Sequence, residues 1–542
     1  MWLLTVQLSR IGGMAPLSFS MYLEWPLILY LFWLFNVYLQ PTVMAPVIAA
    51  LPITLAYLIH DSYYIQFGQV VRFVNIKELP ELIDVLPPLY LAGFAATFVA
   101  PLGLFIWQFR WQRRLIGFTV PLLALLVILE IFPVAYATAF NRIAKDIQAW
   151  SDKYDVDVNG RLAMLLYHEG QRLQFKAEAT KYYDRPHFTA TMHALAGQLS
   201  GISRPRNIHL IVLESFVDPT LFAGATFSTS PQHPDFQRLV GNNMGISISP
   251  VFGGGTAQAE FEALCGVPAF RDVVGTEFNA FSGHAAAAWC LPGILHQMGW
   301  RTIASNAHKP NFFNAIKAYE GMGFDEIYFP KENAPNMPTY FSRGVLSKFE
   351  SYMFDGTLFD QNLAYLARTL KEHPGQPVLN YILTAYGHFP HTMTDPSRPQ
   401  FIRVMADTND EHFRLAVNQH YYRTQAMARY IEAIHKMDPN GLIVFISDHV
   451  PPLLKGNESY KALRYLNNEP GGTFKNRLLI FVDGKPTTLP TIHHYDIPSL
   501  VLNYVTSGRY CTDRVCNLQG ERKTRDQYRG DYLRTIAHAI KE

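Results

Sequence analysis

The hydrophobic pattern of this 542-residue chain changes near residue 144. Before that point four long apolar runs with very few charges follow one another, at residues 25–39, 43–59, 86–107 and 115–136. Runs of this length and composition are typical of helices that cross a bilayer. The pattern therefore predicts an α-helical membrane domain of about four spanning helices over residues 1–142. A fifth span within residues 1–19 remains open.

The connection between the third and fourth runs predicts the orientation of this domain. It covers residues 108–114 and carries Arg110, Arg113 and Arg114 without an acidic residue. Short loops rich in arginine and lysine stay on the cytoplasmic side. We therefore expect a multi-pass protein of the inner (cytoplasmic) membrane, with everything after about residue 141 on the extracytoplasmic side, in the periplasm of a diderm bacterium.

From residue 207 onward, predicted strands and helices alternate. Near-continuous apolar segments, typical of parallel strands that are covered on both faces, occur within residues 209–216, 378–388 and 442–449. Further strands are predicted at 301–304 and 478–482, and amphipathic helices at 358–370 and 420–435. The alternation indicates an α/β domain over residues 206–510. A helical connector at 143–205 precedes it and a C-terminal tail at 511–542 follows it.

Net charge and cysteine content indicate which partners and which cellular compartment suit the chain. The net charge is +2, so the chain has no evident nucleic-acid footprint. All four cysteines lie in the predicted extracytoplasmic part, and an even count in an oxidising compartment is compatible with two disulfides. Cys511 and Cys516 are close enough to pair, which leaves Cys265 with Cys290. Reduced core thiols are the alternative for the latter two.

Residues suited to chemistry follow the three apolar segments. Glu214, His388 and the pair Asp448 and His449 come where predicted strands end. Ligands of open α/β sheets bind beyond the carboxyl ends of the strands. A carboxylate and an imidazole suit zinc or manganese. The alternatives are an ion pair to an arginine for Glu214 and a strand cap with a solvated histidine for the pair.

A glycine-rich loop supplies a hydroxyl. Gly253, Gly254 and Gly255 precede Thr256 and would let the loop turn tightly, so that phosphate oxygens could approach backbone N–H groups. A bound metal would make the Thr256 hydroxyl a better nucleophile. Thr256 also suits the start of a helix, and both roles can hold at once, because a helix N-terminus favours an anion.

Two histidines after the middle segment complete the candidates. His388 and His391 could bind a phosphate oxygen or protonate a leaving alkoxide. The alternative is that they are loop histidines exposed to solvent.

In order and spacing, the segments around Glu214, Thr256 and Asp448 resemble the sulfatase-like membrane phosphotransferases. This group includes lipoteichoic acid synthases, phosphoglycerol transferases and phosphoethanolamine transferases. The resemblance covers about residues 207–505 and implies an alkaline-phosphatase/sulfatase-like extracytoplasmic domain. It also implies that Glu214, Thr256, Asp448 and His449 hold one divalent metal, Mn or Zn, that Thr256 is the nucleophile and that His388 contacts the phosphate.

The chain departs from this family at one segment. Lipoteichoic acid synthases have an arginine after a Phe-Trp-Asn run, whereas Ala315 stands at that position here. Lys309 or Lys317 could replace the missing charge, although neither offers the planar fork of arginine, or the head group differs. His308, which precedes this segment, is a candidate substrate-binding residue together with His388 and His391.

The resemblance implies transfer of a phospholipid head group, phosphoglycerol foremost, through a phosphothreonine to an envelope polysaccharide or lipid acceptor. Phosphoethanolamine transfer and phosphodiester hydrolysis on the same fold are the alternatives, and a scaffold without metal is a third. Sulfatase activity is not expected, because the residues after Cys265 lack the Cys-x-Pro-x-Arg spacing. The oligomeric state is not predicted.

Overall fold

We describe the protein from a computed structural model. It describes residues 1–67, 70–78, 89, 92–93, 95–110, 113–145, 147, 152–183, 185–199, 206–270, 277–281, 289–334, 350, 352–511 and 524–541. Contacts between Cα atoms divide the chain into two compact units, the first comprising Met1–Glu178 and the second most of the chain from Ala179 onward. The predicted domain boundaries at 142, 205 and 510 stay predictions.

Helices are the main regular elements among the described residues of the N-terminal part. Its helices α1 to α9 are Trp2–Arg10, Glu24–Tyr38, Ala45–Phe67, Ala100–Gln108, Val120–Ile131, Pro133–Ile143, Asp152–Asn159, Arg161–Ala179 and Arg185–Leu199. Helices α7 to α9 fall within the stretch predicted as a helical connector.

One described helical segment, Ala45–Ile65, is long and apolar enough to cross a membrane. A second would follow if Ile116–Ile131 and Pro133–Ile143, which meet at a bend of 111°, form one span. Of the other predicted spans, 25–39 matches α2, which has 15 residues. Span 86–107 lies partly outside the described residues. Four membrane crossings therefore stay a prediction.

Buried carboxylates hold the first unit together around the start of α8. Asp61 accepts two hydrogen bonds from Arg161, of 2.7 Å from Nε and 2.8 Å from Nη2. Glu24 accepts from the backbone N–H groups of Leu162 and Ala163 at 3.0 and 2.9 Å. A carboxylate at a helix N-terminus satisfies backbone donors that have no partner within the helix. Residues far apart in sequence thus stabilise one helix start.

The second unit is built on a nine-stranded sheet whose central strands are parallel. Its strands are β1 Ile208–Leu213, β3 Gly245–Ile248, β4 Arg301–Asn306, β5 Glu326–Tyr328, β6 Val378–Leu383, β8 Leu442–Ser447, β9 Lys475–Val482, β10 Lys485–Thr487 and β11 Ile492–His493. The order is β11-β3-β9-β8-β1-β6-β4-β5, with β10 beside β9. Two further strands, β2 Ala225–Phe227 and β7 Val404–Ala406, form a separate pair.

The predicted α/β architecture is confirmed. Strands β8, β1, β6, β4 and β5 run parallel, whereas β9 runs antiparallel to β8. All six residues of β1, β6 and β8 are buried, which explains their near-continuous apolar sequence. The remaining helices, α10 to α18, are Pro234–Val240, Thr256–Cys265, Leu291–Gln297, Ala315–Met322, Asp355–Glu372, Glu411–Met437, Asn457–Ala462, Ile497–Val505 and Arg525–Lys541.

Helices α14 and α15 cover one face of the sheet. Ile211 of β1 belongs to one buried cluster with Leu358 and Leu366 of α14 and with Ile431 of α15. The predicted helices at 358–370 and 420–435 are confirmed, and both extend further than their apolar pattern suggests. This packing fixes the parallel strands from which the candidate site is built.

Candidate active site

The polar residues predicted to share one edge of the sheet come together there. Glu214 directly follows β1, and Asp448 and His449 follow its neighbour β8. His388 comes five residues after the end of β6, and His308 two residues after the end of β4. Because these strands are parallel neighbours, their carboxyl ends lie side by side.

Thr256 lies at the centre of this group. It is the first residue of α11, and its hydroxyl donates to Asp448 Oδ2 at 2.9 Å and to Glu214 Oε2 at 3.2 Å. The side chain is buried, with 5% exposure. The hydroxyl, both carboxylates and the helix N-terminus thus meet at one point.

The glycines before Thr256 allow this approach. Gly253 and Gly255 have φ values of +68° and +89°, in the left-handed region. An L-residue with a side chain rarely adopts this conformation, whereas glycine does so without a steric penalty. The loop can therefore turn tightly and place Thr256 against the sheet edge.

Backbone hydrogen bonds hold Asp448 in its orientation. Its Oδ1 accepts from the N–H groups of Ser215 and His449, at 2.7 and 2.6 Å. Its Oδ2 remains directed at the Thr256 hydroxyl and lies 3.2 Å from His449 Nε2. One oxygen of Asp448 is therefore structural, and the other faces the site.

The donor set fits one divalent cation. Ligand atoms of Glu214, Asp448 and His449 lie within 4.8 Å of one another. His449 Nδ1 lies 3.0 Å from the carbonyl oxygen of Val450, so it donates there and leaves Nε2 as the electron-pair donor toward the carboxylates. Two carboxylates, one imidazole and one hydroxyl suit manganese or zinc.

Burial and charge set the protonation of this cluster. Burial raises the pKa of Glu214, but a hydrogen bond with His308 and the charges of His388 and His449 outweigh it, so the net shift is downward. The pKa of Asp448 lies well above its usual range, because of burial and then of the Glu214 charge. Glu214 and Asp448 have ligand atoms within 4.8 Å of each other, and two buried carboxylates this close repel. A cation between them would relieve that repulsion.

The predicted substrate-binding histidines divide into two groups. His308 Nε2 lies 3.6 Å from Glu214 Oε2, and the His308 ring faces that of His388 at 5.8 Å. His391 instead packs near His412, with ring centroids 5.9 Å apart, and lines a small cavity with Ser215. No described contact joins His391 to Thr256 or to the two carboxylates. The structure thus brings His308 and His388 to the site and places His391 behind it.

Sequence reasoning missed the arginine that supports this site. Arg423 of α15 is buried and donates from Nη2 to the backbone carbonyl of Glu214 at 2.9 Å and from Nε to Asp355 Oδ2 at 2.7 Å. A signal existed, because positions 420, 423, 424 and 427 lie on one face of a helix, and that face is buried. An arginine on such a face needs a buried partner.

A second buried network supports α11. Glu260 accepts hydrogen bonds from the hydroxyls of Tyr319 and Tyr381, and Asn306 donates to Tyr319 at 3.0 Å. Burial raises the pKa of Glu260 to about 7. These residues tie the helix that carries Thr256 to strands β4 and β6.

The predicted pairing of Cys265 with Cys290 is confirmed, since the two form a disulfide. Cys511 is also disulfide-bonded, and its predicted partner Cys516 lies outside the described residues. Cys265 is the last residue of α11, so the helix that begins with Thr256 ends in a covalent cross-link.

The family model described as Sulfatase matches residues 206–506. The chain belongs to the sulfatase family. A Rhizobium meliloti (strain 1021) protein assigned to cyclic beta-1,2-glucan modification is 24% identical over 264 residues, which are 48% of this chain and 37% of that protein. The match thus spans little more than a third of the relative's length.

Two solved structures are similar to this chain at low identity. The Streptococcus pyogenes phosphoglycerol transferase GacH, in complex with sn-glycerol-1-phosphate, is 16% identical, with 68% of this chain and 92% of that chain covered and a TM-score of 0.47. The Listeria monocytogenes lipoteichoic acid synthase LtaP is 18% identical, with coverages of 60% and 79% and a TM-score of 0.46. Values this low do not identify a substrate.

Proposed function

We propose that this member of the sulfatase family is a phosphotransferase that moves a phospholipid head group, phosphoglycerol foremost, through a phosphothreonine at Thr256. One observation carries the proposal. The Thr256 hydroxyl donates to both Asp448 and Glu214 at the N-terminus of a helix, inside a donor set suited to a divalent metal. A residue with only a structural role as a helix cap would not need two buried carboxylates.

Glu214, Asp448, His449 and the Thr256 hydroxyl would hold the metal, manganese or zinc. When bound, such an ion makes a hydroxyl more nucleophilic and stabilises negative charge on phosphoryl oxygens. The protein supplies the positions of these groups, since backbone N–H groups orient Asp448 and Glu214 directly follows β1. The N-terminus of α11 adds a positive partial charge beside the phosphate.

In the first step, Thr256 Oγ1 attacks the phosphorus of the donor. A bond forms between Oγ1 and phosphorus, the bond to the diacylglycerol oxygen breaks, and its electron pair leaves with that oxygen. The Thr256 proton moves toward Asp448 Oδ2, the acceptor of its hydrogen bond at 2.9 Å. His388 Nδ1 donates to the carbonyl oxygen of Phe389 at 2.6 Å, which leaves Nε2 for the substrate, and the imidazolium form of His388 would give its Nε2 proton to the leaving oxygen.

In the second step, the oxygen of an acceptor hydroxyl forms a bond to phosphorus and its proton passes to His388, while the bond between phosphorus and Thr256 Oγ1 breaks and Oγ1 takes back the proton held at Asp448. Two separate transfers on one residue give ping-pong kinetics. We propose an envelope glycan or a lipid as acceptor. The assignment of the Rhizobium meliloti relative to glucan modification supports a glycan. An inner-membrane location with a periplasmic catalytic domain would bring the site to a donor in the bilayer.

The intact mass of the purified full-length protein tests this proposal. The metal-loaded protein is incubated with phosphatidylglycerol and, separately, with phosphatidylethanolamine, alongside Thr256→Ala. We expect a head-group adduct that Thr256→Ala lacks, and its mass identifies the donor. Thr256→Ser keeps a hydroxyl at the same position, so it should still form the adduct, more slowly.

Each other outcome has a defined meaning. Free head-group phosphate without an acceptor would indicate a hydrolase of the same fold. An adduct that survives in Thr256→Ala would exclude Thr256 as the nucleophile. A wild-type protein that binds no metal and forms no adduct would favour a scaffold.

A further inference from the structure

The hydroxyl of Tyr352 is buried and has no hydrogen-bond partner among the residues that the structure describes. The buried hydroxyls of other tyrosines do have hydrogen-bond partners. The hydroxyl of Tyr430 donates to Asn362 Oδ1 at 2.8 Å, that of Tyr386 to Glu350 Oε1 at 3.0 Å and that of Tyr460 to the carbonyl of Pro451 at 2.6 Å. A buried hydroxyl without a partner lowers stability, so its presence calls for an explanation.

The position of Tyr352 supplies one. Its ring packs against that of His388, with centroids 5.0 Å apart and planes inclined by 35°. His388 in turn faces His308, whose Nε2 lies 3.6 Å from Glu214 Oε2. The phenol therefore belongs to the wall of the candidate active site.

Electrostatics agrees with this placement. Burial raises the pKa of Tyr352, and the negative charge of Glu214 raises it further. The phenol therefore stays protonated at neutral pH and can act only as a neutral hydrogen-bond donor to an anion.

We propose that Tyr352 is a substrate-contacting residue whose hydroxyl donates a hydrogen bond to a phosphoryl oxygen of the donor bound at Thr256. This inference rests on the proposed function. The hydrogen bond that the Tyr352 hydroxyl lacks among the described residues forms when substrate binds. The free energy of this new hydrogen bond then contributes to substrate binding.

The test compares Tyr352→Phe with Tyr430→Phe in the full-length, metal-loaded protein. Both variants lose one buried hydroxyl, but within the described part of the chain only that of Tyr430 has protein partners. Three quantities are measured: the melting temperature without substrate, the single-turnover rate with phosphatidylglycerol, and turnover of bis(p-nitrophenyl) phosphate, a phosphodiester without a lipid head group.

We expect Tyr352→Phe to melt at or above the wild-type temperature and to react about 10- to 100-fold more slowly with both phosphodiesters, the range of one hydrogen bond to a charged group. Tyr430→Phe should melt lower and react at the wild-type rate. A Tyr352→Phe variant that reacts like wild type, or that melts lower as Tyr430→Phe does, would overturn the inference.

Slowing with phosphatidylglycerol alone would also overturn it, because the hydroxyl would then contact the head group and not the phosphoryl oxygen. Wild-type protein that turns over neither phosphodiester would instead refute the proposed function, and the inference with it. The two failures are distinguishable because the first requires an active wild-type protein.

Discussion

Gly387 is the position where one added methyl group should disturb the site most. It lies between the end of β6 and His388, and a Cβ built there would stand closer than 3.0 Å to the carbonyl oxygen of Glu214 and to Arg423 Nη1. It would also stand 3.0 Å from the carbonyl oxygen of Ser215. Two of these three contacts are backbone atoms, which cannot rotate away. Gly387→Ala therefore has to move the turn that carries Glu214.

The expected magnitude follows from the geometry. Relief of such contacts requires a shift on the order of 1 Å, and overpacking of this kind typically costs about 1–3 kcal/mol of unfolding free energy. A misplacement of about 1 Å at a reacting group can lower the rate roughly 100-fold. Arg423 cannot yield easily, because Asp355 and the Glu214 carbonyl hold its guanidinium.

Gly530→Ala is the matched control. Gly530 lies inside α18, and a Cβ built there meets nothing within 4 Å. Alanine favours a helix over glycine by about 0.5–1 kcal/mol, so this variant should be as stable as wild type or more so. Thermal unfolding, manganese affinity by calorimetry and head-group transfer are measured for both. Equal values for the two variants would refute the steric argument.

Three further predictions concern the cation, one carboxyl group and the disulfide. Chelation of the metal should lower the melting temperature, because Glu214 and Asp448 are left as facing buried acids; an unchanged melting curve in EDTA would argue against a structural contribution of the ion. Glu260 has a folded pKa of about 7 against an ordinary 4.5, so the folded state binds the extra proton and stability falls as pH rises between those values, by up to about 3 kcal/mol. Glu260→Gln should flatten urea-unfolding stability across that range, and an unaltered pH profile would contradict the assignment. Replacing Cys265 and Cys290 by serine removes a cross-link between residues 25 apart in sequence. The free energy of unfolding in urea should fall by about 3.5 kcal/mol. No loss would show that the cross-link does not constrain the unfolded chain.

The sequence predicts the site residues at the ends of the strands better than the buried ion pair that supports them. Glu214 and Asp448 were found because each ends a near-continuous apolar strand, and the parallel topology then brings strand ends together. Arg423 and Asp355 were not, because their pairing joins α15 to the start of α14 over 68 residues and no local pattern records it.

Two of the predicted histidines also show that sequence alone does not give the direction of a side chain. His388 and His391 are three residues apart and follow the same strand, so sequence alone treats them alike. The chain turns between them, and only His388 reaches the ring of His308. Side-chain direction in a loop depends on tertiary contacts, which periodicity does not encode.

Helix α11 carries the proposed nucleophile at its first residue and a half-cystine at its last. Ten residues of α-helix span about 15 Å, so the reactive end and the cross-linked end belong to one short rigid rod. Full activity should therefore depend on whether this disulfide has formed. A copy kept in a reducing compartment would have the complete set of ligands on a helix that lacks its covalent anchor, which would make oxidation of this cysteine pair part of activation.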